Sequence, residues 1–329
     1  MHNKSLLFPN VIAIVVTYEP DLEILKHLLD ALTLQVKSIV IIDNGSNEDV
    51  ESWCTKRHIP GVKVLSLGDN VGIAAAHNVG IQWAQSNGAE HVLLMDQDSI
   101  PETHMVHKLS DALFQAVRNF DSPAIAAGPI CFDMRTGNKS FFVTERYGIP
   151  SRWWLRSTNG PIIGARKVCT LISSGTLIDL KAFQEVGGMR SNYFIDHVDT
   201  EWCFRVKAKR YILLGVPNAM MKHTLGDKVM SIWFFGWRTV SYHSPLRDYY
   251  MFRNTFLLCR DVQMSLIWQL YLIFRLFKFS IYFLTFTSQR VQRFHYMVLG
   301  IAHGLRGISG KLDLKTRHCT QIPKSNLDP

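Results

Sequence analysis

The apolar positions of this chain fall into two periods, and their alternation lays out an α/β order. Val11-Ile12-Ala13-Ile14-Val15-Val16-Thr17-Tyr18 is continuous and β-branched, the pattern of a strand covered on both faces. Glu19-Pro20 breaks it. Asp21 to Leu32 then has a helical period, with Asp21 standing where an N-cap belongs. Ser38 to Ile42 predicts a second buried strand and Val62 to Ser66 a third, so the first strand, helix and strand fit within the span of one βαβ unit. Gly68 to Ile81 is a loop entering a helix whose first turns carry Gly72, Ala74, Ala75 and Ala76. Small side chains there allow either an anion against the helix N-terminus or tight packing of helix on sheet, and the pattern leaves both open.

The run His91-Val92-Leu93-Leu94-Met95 stops abruptly at Asp96-Gln97-Asp98-Ser99. A buried strand ending this way delivers two carboxylates to the carboxyl edge of the sheet, where open α/β sheets bind ligands. Carboxylates so close repel unless a cation joins them, and a divalent ion carrying phosphate oxygens does so. A single pair of this kind is more often a plain Asx turn.

Helical spacing continues over His104 to Ala116, and Ala124 to Ile130 predicts another strand. Arg135 to Pro161 is polar and aromatic without a clear period and is expected to be a long loop of the binding type. Its Trp153-Trp154 pair suits a sugar ring or a packing gap. Val168 to Ile178 holds two apolar pieces separated by Ser173-Ser174-Gly175, and Phe183 to Gly188 reads as a helix with a glycine stop. Asp196, Asp199 and Glu201 then cluster around His197 at a helix start, where acids suit the dipole or supply a base. Tyr211 to Val216 predicts a last strand, with His223 just beyond its end.

From Met230 the texture becomes aromatic and basic. Leu266 to Phe286 is mostly apolar, but Arg275 and Lys278 interrupt it, which disfavours a spanning helix. A helix lying in a membrane interface and a hairpin packed on the main domain both fit. Charge sharpens this picture: of the net +9, most lies from Asp261 onward, where nine basic side chains face three carboxylates. Anionic lipid, nucleic acid or a phosphorylated substrate would answer such a field. The six cysteines (Cys54, Cys131, Cys169, Cys203, Cys259 and Cys319) form no CxxC pair or metal-type cluster, so free thiols in a reducing compartment are expected. The apolar run at Val11 to Val16 is too short for a signal peptide, which predicts a cytoplasmic protein.

The ordered set of these motifs closely resembles the inverting family 2 glycosyltransferases. It comprises the Val-Val-Thr-Tyr strand, Ile-Asp-Asn-Gly-Ser at residues 42–46, Asn70-Val71-Gly72, Ala76-His77-Asn78-Val79-Gly80, Asp96-Gln97-Asp98, Asp199-Thr200-Glu201-Trp202-Cys203-Phe204-Arg205 and Tyr250-Met251-Phe252-Arg253-Asn254. Leu94-Met95-Asp96-Gln97-Asp98-Ser99 together with Phe194-Ile195-Asp196-His197-Val198-Asp199 looks most like the bacterial rhamnosyltransferase branch. The resemblance implies a GT-A, Rossmann-like, mostly parallel sheet with flanking helices. It implies a catalytic domain over residues 1–228 and a helical region over 229–329 for acceptor and membrane-surface contact.

By the same resemblance the donor is dTDP-L-rhamnose, the acceptor a lipid-linked glycan in surface polysaccharide synthesis, and the cofactor Mg2+ or Mn2+. Thr17, Tyr18, Glu19, Asp43, Asn70, Asn78 and Asp96 match nucleotide-sugar positions. Beside the resemblance, the forked side chains of Arg247 and Arg253 are candidates to close over phosphates. Asp98 and His223 match the metal site. Asp199 takes the place of the base, although Val198 stands where many relatives have Glu, and Asp196 is the second choice. The enzyme is then expected to be cytoplasmic and peripheral to the inner face of the plasma membrane.

Other classes fit less well. A nucleotidyltransferase or dehydrogenase would carry a Gly-rich loop after the first strand, where this chain has Thr17-Tyr18-Glu19-Pro20. A basic membrane-surface binding module explains the C-terminal charge but not the acids. Nucleic acid is not expected as a partner, because no recognition motif accompanies the charge.

Overall fold

The computed structural model describes residues 10–133, 137–154, 164–223, 228–233 and 237–313. In chain order the elements of the first half are β1 (Val11–Thr17), α1 (Leu22–Thr33), β2 (Ser38–Asp43), α2 (Val50–Lys56), β3 (Val62–Ser66), α3 (Ile73–Ser86), β4 (His91–Asp96), β5 (Ser99–Pro101), α4 (Met105–Asn119) and β6 (Ala124–Asp133). There follow β7 (Phe142–Arg146), β8 (Ile149–Trp153), β9 (Arg166–Val168), β10 (Leu177–Asp179), α5 (Leu180–Val186), α6 (Val198–Ala208) and β11 (Ile212–His223). A hairpin of β12 (Lys228–Trp233) and β13 (Trp237–Tyr242) leads to α7 (Pro245–Asp261), α8 (Leu266–Phe286) and α9 (Arg290–Arg306).

The main sheet runs β3-β2-β1-β4-β10-β6-β11-β5, with β9 also on β11. Pairs β3/β2, β2/β1, β1/β4 and β6/β11 are parallel, while β10 is antiparallel to both its neighbours. Every residue of β1 is buried, as a strand covered on both sides requires. On one face α1 inserts Leu25, Leu28, Leu29 and Leu32, all fully buried, in company with α4. Each such side chain contributes about 1.5 to 3 kcal/mol by leaving water. Asp21 caps α1 by accepting from the amides of Glu23 and Ile24. The other face is covered by α3, α5 and α6, and the same continuous core takes in Leu257, Leu258, Trp268 and Leu272. The C-terminal helices therefore share a core with the sheet.

Register determines what reaches the sheet edge. Thr17 lies opposite Asp43 and Val16 opposite Asp96, so the carboxyl ends of three parallel strands finish level. The long β11 runs past β6 to pair its end with β5, setting His223 opposite Ser99. In this way a histidine distant in sequence arrives beside Asp98.

Two expectations are corrected. Residues 135–161 are not one long loop, because β7 and β8 form a hairpin within them; residues 135–136 and 155–161 of that stretch lie outside the described residues. The aromatic stretch after Met230 forms strands β12 and β13 before it becomes helical. Cys54, Cys131, Cys169, Cys203 and Cys259 are free thiols, as expected; Cys319 and the tail from residue 314 lie outside the described residues.

By length and composition α8 is apolar enough to cross a membrane. It buries Trp268, Leu272, Leu276 and Phe283 against the protein. Its opposite side exposes Leu270, Ile273, Phe274, Phe277 and Ile281. On α9, Gly300 and Gly304 lie directly on the backbone of α7, where a Cβ would sit 2.6 Å from the carbonyls of Tyr249 and Arg253. That close approach leaves Val291, Phe294 and Val298 facing outward.

Candidate active site

The end of β4, the end of β11 and the entry to α6 meet at one cleft of about 400 Å³, lined by Tyr18, Asn44, Asn70, Asp96, Asp196, Asp199, His223 and Arg247 among others. On its sheet side, ligand atoms of Asp96, Asp98 and His223 all lie within 4.8 Å of one another. His223 Nδ1 is 3.4 Å from Asp98 Oδ1 and 2.6 Å from Ser99 Oγ. Ser174 Oγ donates to Ser99 Oγ at 2.8 Å and accepts from the Asp96 amide at 3.0 Å. A chain of small hydroxyls thus fixes both an acid and the imidazole ring. Two carboxylates and one imidazole are a donor set that suits a hard or borderline divalent cation. Burial, and secondarily the nearby Asp98 charge, push the Asp96 carboxyl above its ordinary value, while His223 and Arg247 oppose them. An added cation would relieve that strain.

On the facing side, the turn into α6 is built against its preferences. Phe194, Asp196 and His197 adopt φ of 65°, 64° and 60°, the left-handed region that costs a non-glycine residue on the order of 1 kcal/mol or more. The conformation is held from α7. Asn254 Nδ2 donates to the carbonyls of Tyr193, Ile195 and Asp196 at 2.9, 2.7 and 2.9 Å. Arg253 donates to Tyr193 O at 3.0 Å and to Asn254 Oδ1 at 2.9 Å, and both side chains are fully buried. Gly72 completes the fit with φ of 89°, because a Cβ there would lie 2.6 Å from Phe194 O.

The three acids of this turn have separate environments. Glu201 is fully buried and held by Arg205 and Arg190, each at 2.8 Å. Arg205 in turn donates to the carbonyls of Val186, Gly187 and Gly188, so Glu201 ties α6 to α5. Asp196 is paired with Arg247 at 3.3 Å through both oxygens. Asp199 accepts from the amide and hydroxyl of Thr200 and has no ion-pair partner among the described residues. Burial raises its pKa despite those hydrogen bonds, with smaller contributions from Asp196 and Asp96. His197 is bonded to Thr255 at 3.0 Å, and burial pulls its pKa down to about 3, which keeps it neutral.

Of the residues singled out from the sequence, the structure brings Tyr18, Asn70, Asp96, Asp196, Asp199 and His223 to this cleft, with Asp98 beside His223. Tyr18 is anchored to Gln97, whose side chain accepts from its amide at 2.7 Å and donates to its carbonyl at 3.1 Å. Thr17 and Asp43 lie buried beneath the edge, where Asp43 accepts from Thr17, Ser46 and Ser66 hydroxyls. Glu19 lies beside them and accepts from Asn47.

Two assignments are corrected. Arg253 does not face phosphate, since its guanidinium is enclosed by Tyr193, Asn254 and the Gly310 carbonyl. Asn78 is not in the cleft lining, because its amide bonds both the N–H and the carbonyl of Met189. Sequence reasoning missed Asn254 as the holder of the turn and Gln97, Ser99 and Ser174 as supports. Asn254 was inside a motif already singled out, but only the fold shows which of its side chains points at the turn.

Comparison with known proteins agrees with this geometry. The model of the family described as Glycosyl transferase family 2 matches residues 12–187. A Shigella flexneri protein named dTDP-rhamnosyl transferase RfbF is 31% identical over 306 residues, 92% of this chain and 97% of its own. A Mycobacterium tuberculosis protein named N-acetylglucosaminyl-diphospho-decaprenol L-rhamnosyltransferase is 26% identical over 235 residues, 65% of this chain and 75% of its own. Among solved structures, S. aureus TarS 1-349 in complex with UDP-GlcNAc superposes with a TM-score of 0.54 at 13% identity, covering 91% of this chain and 81% of that one. GalNAc-T7 with UDP, GalNAc and Mn2+ gives 0.52 at 15% identity, covering 67% of this chain and 44% of that one. At such identities these two bear on the fold alone, the mostly parallel GT-A type. A sheet edge of this design, matched over more than half the chain by one family model and over nearly all of it by a relative, makes this protein a glycosyltransferase, and it belongs to family 2.

Proposed function

We propose that the enzyme moves L-rhamnose from dTDP-L-rhamnose, with inversion, to a lipid-linked glycan during surface polysaccharide synthesis. The observation that carries this reading is the placement of Asp199, without an ion pair among the described residues, on the same cleft as the Asp96, Asp98 and His223 cluster. Inverting transfer needs a proton acceptor and a diphosphate-binding pole on opposite sides of a sugar. The donor assignment rests on the similarity to the rhamnosyltransferases over 92% and 65% of the chain.

In this reading Tyr18 and Asn70 line the nucleotide end of the cleft, while Thr17, Glu19 and Asp43 shape its floor. Asp96, Asp98 and His223 hold Mg2+ or Mn2+, which supplies positive charge to the diphosphate when bound. Arg247, 3.3 Å from Asp196, balances that acid and adds a cation to the diphosphate side. Asp199 accepts the acceptor hydroxyl proton as the new C1–O bond forms and the C1–O bond to the diphosphate breaks, so dTDP leaves with the bonding electrons. Its raised pKa makes it a better base than an exposed carboxylate. Asp196 is less suited, because Arg247 stabilises its charge.

In this reading residues 1–228 carry the catalytic centre, and 229–329 add Arg247 to it, a wall on the acceptor side and the membrane side. The exposed apolar strip of α8 with Lys278 favours docking on the inner face of the plasma membrane. The test is a panel of nucleotide sugars with and without EDTA, reading nucleoside diphosphate release. Turnover of dTDP-rhamnose that EDTA abolishes supports the reading, and preference for another donor excludes the rhamnose assignment.

A further inference from the structure

A second cavity, of about 370 Å³, adjoins the first, and Asp199 and Ile172 line both. Asp96, His223 and Tyr18 line only the first. Asp199 therefore stands on the partition, with the metal-type cluster on one side and the second cavity on the other. The second cavity has walls from the β7/β8 hairpin, through Phe142 and Arg152, with Phe141 just before it, and from α8, through Trp268, Tyr271 and Arg275. It is mostly aromatic and apolar, yet two guanidinium groups reach it.

Arg275 is the unusual member. Its Nε is buried and has no hydrogen-bond partner among the described residues. The Phe279 ring lies 5.7 Å from the guanidinium carbon, and Arg152 lies 4.7 Å from the Phe141 ring. Among the described residues, Asp199 is the only carboxylate lining the cavity. A buried guanidinium N–H left without an acceptor is unfavourable, and aromatic faces offset only part of that. The cost is understandable where an anion completes the site. Desolvation accordingly pulls the Arg275 pKa below its ordinary value.

We infer that this cavity is the acceptor site, and that Arg275 and Arg152 bind the diphosphate of a prenyl-type lipid carrier whose sugar hydroxyl reaches Asp199. The inference rests on the transferase reading above and names the acceptor chemistry for the same site. Two features select a lipid diphosphate over a free anion. Most of the wall is apolar, and one wall is α8, whose outer side is the exposed apolar strip of Ile273, Phe274 and Phe277. A carrier with its chain along α8 can keep its headgroup at Arg275 without leaving the membrane surface.

The test is calorimetric titration of the full chain with farnesyl diphosphate, farnesol and inorganic diphosphate, in EDTA so that no metal recruits phosphate to the Asp96 cluster. Farnesyl diphosphate is expected to bind more tightly than either part alone, and Arg275→Gln to weaken it about 10- to 100-fold. Arg275→Lys, which keeps charge but not the fork, recovers part of the loss. If Arg275→Gln fails to fold, Arg152→Gln on the hairpin wall decides, with a loss of about 10-fold expected. Equal affinity in wild type and the folded glutamine variant overturns the inference, as does inorganic diphosphate binding as tightly as the prenyl compound. No donor is present, so failure of rhamnose transfer leaves this result standing, and failure here leaves the donor assignment standing.

Discussion

Removal of the Asn254 amide tests how far the base depends on a strained turn. Asn254→Ala deletes the donor that bonds the Tyr193, Ile195 and Asp196 carbonyls at 2.7–2.9 Å. Each hydrogen bond contributes about 1 kcal/mol net, with more lost where a buried carbonyl is left unpaired. The turn itself stores φ values of 65°, 64° and 60° at Phe194, Asp196 and His197, which it would relax once released. A loss of about 2 to 4 kcal/mol in holding the productive turn follows. At about 1.4 kcal/mol per tenfold, that is roughly 30- to 1,000-fold in kcat. The donor's KM should change little, because Tyr18, Asn70 and the Asp96 cluster sit on other elements. Steady-state transfer with varied dTDP-rhamnose separates the two parameters, and Asn254→Asp, which sets an acceptor against three carbonyls, should be no better. A folded Asn254→Ala enzyme with kcat within threefold of wild type would refute the reasoning.

Other outcomes follow from the same contacts. Asp98→Ala should abolish EDTA-sensitive turnover and weaken Mn2+ binding at least tenfold by titration; unchanged metal affinity removes Asp98 from the site. The acid limb of kcat/KM should lie above the ordinary carboxylate range of about 4, since burial raises the Asp199 pKa. A base works only above its own pKa, so activity is lost as pH falls through that raised value. Asp196→Asn removes a like charge and should move the limb to lower pH; no movement argues that Asp199 does not set it. Arg293→Met should destabilise the fold by about 3 to 5 kcal/mol, seen as a lower midpoint in urea. It strips Asp248 of a partner at 2.6 Å in a pair whose side chains are 1% and 3% exposed.

The parts of the fold that were legible in the sequence are those whose burial is two-sided or strictly periodic. β1, β2 and β4 are uninterrupted apolar runs because helices cover both sides of them, and Asp21 announced α1 by a local capping rule. The hairpin of β7 and β8 was illegible for the opposite reason. It lies outside the main sheet, carries Pro150, Arg146 and Arg152, and is exposed along much of its length, so no alternation marks it. Within the site, the acids at strand ends were readable because a chain break after an apolar run is a local event. His223 was readable only as a position, since its meeting with Asp98 depends on the register of β11 against β5. Arg253 shows the limit most clearly. A basic residue near a phosphate site suggests phosphate, yet helix phase turns this one inward to Tyr193 and Gly310. Arg275 was legible as a charge out of place in an apolar helix, but not as a wall of the cavity behind Asp199.

The claim on which this account depends is that Asp199 takes the acceptor proton across the cleft from the diphosphate. The direct measurement is single-turnover transfer by Asp199→Asn, with dTDP-rhamnose affinity read in parallel by titration. The account predicts donor affinity within about threefold of wild type and a transfer rate lower by at least about a thousandfold. Transfer within tenfold of wild type by that variant would contradict it.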